Sequence, residues 1–375
     1  MEKQDKVLNK IKHSTNCGQK TPLGTKPNDE CYTSMQDILN ELSRWAELGK
    51  FKGKNIICPC DWDIVNGEEI YSIQITYKDN DVEVIGNNVF KAVKDVCYDL
   101  WEDNLEVKRI HLKEDEIEDF LRDKLTCNFL RTFTQSAREW GIKSITASGY
   151  NPANGKGIPF QDVDYSKYDI CVTNPPFSLY NEFMDCVIDK IDFICLAPYL
   201  NRVTPNIGLP LMLRKCYLGF SGDTEAGYLP MDFYNPTSQN EYHSKKVAVD
   251  WITSFSEAQD GRNERLKGHK TYVDYELYKD DYQVVEGMTM KDGTHPIRVP
   301  GTQIPDNYTG WMFAPISVIS KISFDDFEWY GTNFMKYYNK TNPAANPFNH
   351  KTSNEMIKIN GKQGFHGIVL RRKVK

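Results

Sequence analysis

Four short apolar runs, spaced by stretches of helical periodicity, constrain this chain more than any other feature. They are residues 54–60 (KNIICPC), 142–148, 168–173 (YDICVT) and 191–197. Each has the length of one strand and an apolar centre, as a strand covered on both faces tends to have. Residues 128–141 and 178–190, which separate the later runs, repeat apolar side chains at helical spacing. Strand–helix–strand units of this kind predict a parallel sheet with helices on both faces. Ahead of the first run, residues 34–49 put Ile38, Leu39, Leu42, Trp45 and Leu48 on one helical face. Thr33 or Ser34 can cap that helix, and Gly49 ends it.

Two regions break the rhythm. Residues 64–125 contain a hairpin pattern, YSIQITYKDNDVEVIG, with Asp79-Asn80-Asp81 at its turn, and then one or two charged helices. Acids far outnumber bases from Asp95 to Asp123, with Glu114-Asp115-Glu116 at the centre. After Pro198 the α/β alternation fades and Gly, Pro, Asn and Tyr become frequent. Helical spacing is confined there to residues 206–213, and strands are expected around 247–253 and 310–319. The expected organisation is an arm and helix at 1–53, a core at 54–200 with an acidic insertion at 64–125, and a loop-rich extension at 201–375. The core is expected to hold a seven-stranded sheet.

A chain of 375 residues is long enough for a sizeable core. The opening Met1-Glu2-Lys3-Gln4-Asp5 has no apolar stretch behind it, and no run approaches the ~20 residues that span a bilayer. No signal peptide and no membrane partner are expected. The expected location is the cytoplasm, of a bacterial cell or of a host cell if the chain is virally encoded. The ten cysteines are scattered, several inside strand-like runs, and read as buried reduced thiols. Cys58-Pro59-Cys60 lacks the second close pair that a zinc site shows, so no metal is expected. A net charge of −6 argues against a protein that coats nucleic acid unselectively. It leaves room for local basic clusters, which lie around Lys245 and Lys246, from Arg262 through Lys267 to Lys270, and at the end of the chain.

The residues that carry chemistry are Asn174-Pro175-Pro176-Phe177. They follow the strand YDICVT directly and precede a helix, at the strand end where open α/β sheets bind their ligands. A turn that merely ends a strand could use Asn and Pro as well. Asn-Pro-Pro-aromatic in this context does more. The lone pair of adenine's exocyclic nitrogen is delocalised into its ring. The Asn174 side-chain oxygen and the Pro175 carbonyl can accept the two N–H bonds, localise that lone pair and stabilise the developing positive charge. The two prolines stiffen the backbone that aims both acceptors, and Phe177 offers a face on which a base can stack.

With NPPF after one strand and CPCD at the end of an earlier one, the chain resembles the EcoRI-type adenine-specific DNA methyltransferase family. The likeness runs nearly end to end: Asn28-Asp29-Glu30-Cys31-Tyr32-Thr33, Phe51-Lys52-Gly53-Lys54, CPCD, Asn128-Phe129, Ser148-Gly149-Tyr150 and TNPPFS. It continues through AVDWITSF (248–255), IPDNYTGWMFAPISVI (304–319), FDDFEW (324–329) and INGK (359–362). The resemblance implies a class I, Rossmann-like methyltransferase sheet that uses S-adenosylmethionine, with a target-recognition extension built mainly from residues 201–345. It implies catalytic roles for Asn174, Pro175, Pro176 and Phe177. Tyr32, Thr33, Pro59, Cys60, Asp61 and Tyr150 would line the cofactor site, with Asp162 near the cofactor's adenine. Lys245, Lys246, Arg262, Lys267 and Lys270 would meet double-stranded DNA in a restriction–modification setting.

Two departures stand out. The family passes quickly from its CxCD strand end to the Asn-Phe helix, whereas here residues 64–125 intervene. That block reads as a solvated decoration, with a regulatory partner as the alternative. No acid stands at the end of strand 142–148 to hold the ribose hydroxyls. NPPF alone would also allow an RNA adenine or a protein glutamine amide as acceptor. A silent DNA-binding decoy of the same fold is the non-enzyme alternative, and an intact NPPF speaks against it.

Overall fold

The computed structural model describes residues 32–65, 68–79, 82–86, 108–112, 125, 127–151, 154–222, 229–234, 245–332, 346–349, 358–359, 362–363 and 367–374. The chain divides into two compact units. One is Met1–Ala197 with Pro230–Trp251, and the other is Pro198–Leu229 with Ile252–Lys375.

The first unit opens with β1 (Tyr32–Thr33) and α1 (Met35–Glu47). Ser34 caps α1 by accepting the Asp37 N–H at 3.1 Å, and Gly49 follows the helix at φ 72°, a left-handed conformation that glycine adopts freely. Ile38, Leu42 and Trp45 form the buried stripe that the periodicity predicts. Next come β2 (Asn55–Cys58), β3 (Asp63–Val65), β4 (Glu68–Ile70), β5 (Ser72–Tyr77), β6 (Val82–Gly86) and β7 (Lys108–Leu112). They are followed by α2 (Asn128–Ser136), β8 (Ser144–Ser148), β9 (Tyr150–Asn151), β10 (Lys156–Gly157), β11 (Ile170–Thr173), α3 (Tyr180–Val187) and β12 (Asp192–Pro198).

β2, β8, β11 and β12 are the four apolar runs, and they form the parallel centre of the sheet in the order β8-β2-β11-β12. The chain moves from β2 to β8 on one side and later returns to place β11 and β12 on the other. The strand order therefore reverses between β2 and β11, and such a switch point opens a crevice outside the strand ends. At the amino ends of these two strands the Asp169 carboxylate accepts the Asn55 backbone N–H at 2.7 Å and joins them there. Phe51 packs edge-on against Phe133 and stacks on Trp140, which seats α2 against the start of β2.

The block at 64–125 corrects the sequence reading. Its hairpin is not a detachable decoration: β5 pairs antiparallel with β8, β6 with β5, and β7 with β6. Ile73, Ile75, Val82 and Val84 are buried. Burying each such side chain contributes about 1.5–3 kcal/mol, so the apolar alternation of the hairpin drives it onto the open edge of β8. The acidic centre Glu114-Asp115-Glu116, and Asn80 and Asp81 of the turn, lie outside the described residues.

The expected boundary at residue 200 is corrected too. β13 (Tyr217–Leu218), β14 (Leu229–Tyr234) and β15 (Lys245–Thr253) belong to the main sheet rather than to the extension, with β13 paired to β15 off its main path. Among the described residues, ten strands follow the path β1-β14-β15-β12-β11-β2-β8-β5-β6-β7, in place of the seven expected within 54–200. β15 carries Val249, Trp251 and Ile252, all fully buried, and this apolar run fits it to a covered sheet.

The second unit has its own core. Its strands are β16 (Tyr272–Val273), β17 (Gln283–Val284), β18 (Ile297–Arg298), β19 (Ile304–Pro305), β20 (Met312–Pro315), β21 (Phe327–Gly331), β22 (Lys358–Ile359), β23 (Lys362–Gln363) and β24 (Gly367–Arg372); β16 pairs with β19, β22 with β23, and its larger sheet runs in the order β17-β18-β20-β24-β21. Val285, Met288, Met290, Trp311, Phe313, Phe348 and Val369 pack together beside it. The basic end of the chain is therefore a paired strand, with Arg371 bonded to Glu328 at 2.8 Å and Arg372 paired with Asp306. Among the described residues, no helix is long and apolar enough to cross a membrane.

Candidate active site

The switch-point crevice brings together residues that are far apart in the chain. Asp61 follows β2, and its backbone N–H donates to the Ser148 carbonyl at the end of β8. Its side chain reaches the other way, across the switch point, where Oδ2 accepts the Thr173 hydroxyl of β11 at 2.6 Å. The Cys127 thiol donates to Asp61 Oδ1 at 3.8 Å, just ahead of α2. Burial pushes the Asp61 carboxyl up to about 7, although the Thr173 and Cys127 bonds pull it back down. Burial also raises the thiols of Cys58, Cys60, Cys127 and Cys171 well above their ordinary range, which leaves them unreactive at neutral pH.

Asn174 continues from β11. It is 8 % exposed, and its Nδ2 donates to the Thr33 hydroxyl at 3.4 Å. Its Oδ1 is buried and has no hydrogen-bond partner. Leaving a buried acceptor unmatched costs about 1–3 kcal/mol, so such an atom calls for an explanation. Pro175 is buried, Pro176 has φ −62° and ψ 118°, and Phe177 is half-buried at the start of a short 3-10 turn that leads into α3. The prolines keep the chain extended there, which separates the Asn174 amide from the following helix.

Thr33 is buried, and its carbonyl accepts the side-chain N–H of Asn128 at 2.7 Å. Asp63 is 2 % exposed and accepts the Cys127 backbone N–H at 2.9 Å, so the two ends of the 64–125 excursion meet beside the crevice. Trp62 stacks on Tyr71 and covers Gly149. A Cβ at Gly149 would come within 2.6 Å of the Trp62 ring, so this position requires glycine. The segment after β8 does receive a carboxylate, but from the 64–125 block: Glu69 accepts from Asn151 at 3.1 Å and from Asn154 at 2.8 Å. The hydroxyl of Ser148, at the carboxyl end of β8, is buried without a partner.

Asp61, Thr33 and Asn174 thus lie in one hydrogen-bonded group, with Pro59 and Cys60 buried alongside in the turn that carries Asp61. Tyr150 and Asp162 are exposed and stand outside the hydrogen-bonded group. The Tyr32 side chain lies outside the described residues. Thr173 and Cys127 were not anticipated, although each adjoins a motif, at TNPPF and at Asn128-Phe129. Among the basic candidates, Arg262 is corrected. It is 1 % exposed, and its guanidinium donates to Gln259 Oε1 at 2.8 Å and to the Gly219 carbonyl at 2.9 Å, so it holds the second unit together and cannot meet a phosphate. Lys267 and Lys270 are exposed, with Lys267 paired to Glu264 at 2.6 Å. The side chains of Lys245 and Lys246 lie outside the described residues.

A carboxylate and an unsatisfied amide oxygen on adjacent strand ends, beside the switch point of an open α/β sheet, suit a group-transfer enzyme. The profile of the family described as adenine-specific methyltransferase EcoRI matches residues 23–373. The chain belongs to that family and is an adenine-specific DNA methyltransferase. A curated relative, the type II methyltransferase M.EcoRI of Escherichia coli, is 22% identical over 285 residues, which are 60% of this chain and 81% of that protein. No solved structure matches the chain.

Proposed function

We propose that the chain transfers a methyl group from S-adenosylmethionine to the exocyclic N6 of an adenine swung out of double-stranded DNA, and that Asn174, Pro175, Pro176 and Phe177 form the acceptor pocket. The observation that carries this reading is the buried, partnerless Oδ1 of Asn174. It is the acceptor that an adenine amino group needs, at a strand end beside the switch point. With the Pro175 carbonyl as second acceptor, the amine is held by both N–H bonds and its lone pair is turned out of the ring plane. The nitrogen would gain the methyl group as the methyl's bond to the sulfonium sulfur breaks, the sulfur keeping the electron pair, and would release one proton to solvent, while the two dipoles would stabilise the positive charge in between. Phe177 supplies the face on which the extruded base stacks.

The sheet order β8-β2-β11-β12, extended by β15 and β14, supports a class I, Rossmann-like fold. Asp61 fits the cofactor, because a carboxyl held near 7 by burial gains from a cationic neighbour. When bound, S-adenosylmethionine supplies an electrophilic methyl carried on a sulfonium. Asp61 would hold its charged end, and the free Ser148 hydroxyl would be available to a polar group beside β8. Lys267 and Lys270 remain candidates for phosphate contact within the second unit, and Lys245 and Lys246 within the first. The family match favours DNA over RNA adenine or glutamine amide, and the unsatisfied Asn174 acceptor speaks against a silent decoy. Methylation-sensitive long-read sequencing of DNA from cells that express the chain tests the reading. N6-methyladenine in one sequence context supports it, and its absence alongside measurable cofactor binding overturns it.

A further inference from the structure

The contacts around the crevice close into a ring. Asp61 Oδ2 meets the Thr173 hydroxyl at 2.6 Å, and Thr173 is bonded covalently to Asn174. Asn174 Nδ2 meets the Thr33 hydroxyl at 3.4 Å, and the Thr33 carbonyl meets the Asn128 side chain at 2.7 Å. Asn128 follows Cys127, whose thiol returns to Asp61 Oδ1 at 3.8 Å.

We propose that Thr33, held by Asn128, is a positioning residue that sets the orientation of the Asn174 amide. The proposal rests on the reading of Asn174 Oδ1 as the acceptor for the adenine amine. An asparagine amide can rotate by half a turn and exchange its oxygen for its nitrogen. Only one orientation accepts an amine; the other turns N–H bonds toward N–H bonds. With its Nδ2 donating to Thr33, the oxygen is left for the substrate. A rotated amide could still receive the Thr33 hydroxyl, but its N–H bonds would then be buried without an acceptor, a costly state.

Thr33 can perform this task because its own backbone is fixed. β1 pairs with β14, Thr33 opposite Phe233, and the Asn128 amide holds the Thr33 carbonyl. The adjoining Ser34 is tied into the cap of α1. The ring also links the methyl-donor side of the crevice, at Asp61, to the acceptor side, at Asn174. Thr33 meets the Asn174 amide directly, whereas Asp61 is held by Thr173 and Cys127, so a disturbance at Thr33 should fall on the transfer step and not on cofactor affinity.

The test compares Thr33→Val, Thr33→Ser, Asn128→Ala and Asn174→Ala by single-turnover methylation of duplex DNA and by calorimetry with S-adenosylmethionine. Thr33→Val keeps the shape and removes the hydroxyl. It should slow transfer about 10-fold or more with cofactor affinity within about 2-fold of the parent, and Thr33→Ser should restore most of the rate. If Thr33→Val proves unfolded by circular dichroism, Asn128→Ala provides the same comparison, since it releases Thr33 without touching Asn174. Parental transfer rates in the folded hydroxyl or Asn128 variant, with Asn174→Ala inactive, would overturn this inference and leave the acceptor site standing. So would a loss confined to cofactor affinity, which would make Thr33 a cofactor ligand. A fully active Asn174→Ala would remove the acceptor reading itself.

Discussion

The Asp61 carboxylate and the Thr173 hydroxyl are joined at 2.6 Å across the point where the strand order of the sheet reverses. One residue stands at the end of β2, the other at the end of β11 immediately before Asn174. The bond makes the crevice a single polar unit, because whatever neutralises or charges Asp61 acts on the strand end that carries the acceptor amide.

Asp61 should therefore report on cofactor binding through pH. Its carboxyl titrates near 7 because of burial, so below that pH it is held protonated. A cationic ligand favours the charged form, so affinity for S-adenosylmethionine should rise as pH increases through about 7, with proton release on binding near that value. Calorimetry in buffers of different ionisation enthalpy measures both, and Asp61→Asn should abolish the proton release. Asp61→Ala should weaken the cofactor by on the order of 1.5–3 kcal/mol while DNA binding changes less. Proton release unaffected by Asp61→Asn would remove Asp61 from the cofactor site.

The same shift has a consequence for stability in the absence of ligand. A carboxyl whose folded pKa is raised favours the folded state below its unfolded pKa, about 4, and that contribution is lost as pH climbs through about 7. Asp61→Asn does not titrate, so its melting temperature should fall less than that of the parent between pH 4 and 7. Parallel melting curves across that window would refute the assignment.

Asn174 and Phe177 should separate by step. Asn174→Ala should slow single-turnover transfer roughly 10²–10³-fold with cofactor and DNA binding largely kept, by analogy with the loss of one preorganised oxyanion-hole donor. Phe177→Ala should instead weaken capture of the swung-out base by about 1–3 kcal/mol, while Phe177→Tyr and Phe177→Trp keep a stacking face. A 2-aminopurine base at the target position reads the capture step separately from transfer.

Removing residues 64–125 should abolish soluble expression rather than leave a working enzyme. The deletion strips β5 from β8 and exposes Ile145 and Ala147 along an open strand edge. Within the block, Ile75→Ala alone should cost about 2–5 kcal/mol, measured by chemical denaturation. A folded deletion variant with an unchanged melting temperature would show that the hairpin is dispensable.

Arg262 and Lys267 should behave differently although they are neighbours in sequence. Arg262→Met removes bonds to Gln259 and Gly219 and should lower the melting temperature before it affects DNA. Lys267→Ala should leave stability nearly unchanged, since an exposed ion pair contributes about 0–1 kcal/mol. If Lys267 meets a phosphate, its loss should reduce the salt dependence of DNA binding by about one unit of slope. A stable Arg262→Met with weakened DNA binding would reverse the two roles.

Local pattern settled much of this protein. The apolar centres of residues 54–60, 142–148, 168–173 and 191–197 announced buried parallel strands, and α1 was legible from its stripe and from the Ser34 cap, because periodicity and capping act over one or two turns. The NPPF turn was legible for the same reason, as strand, turn and helix are consecutive. Pairings between distant residues were decided only by the tertiary structure. Nothing in the spacing of Thr33, Asp61, Asn128 and Asn174 shows that they close one ring, and the charge of Arg262 does not show that it is buried. The hairpin at 72–86 reads equally well as a free ornament or as a sheet edge, until β8 is seen to need a partner. Which edge a strand covers depends on the apolar area and hydrogen bonds that the folded chain leaves open, and that is a property of the assembled sheet rather than of any one segment.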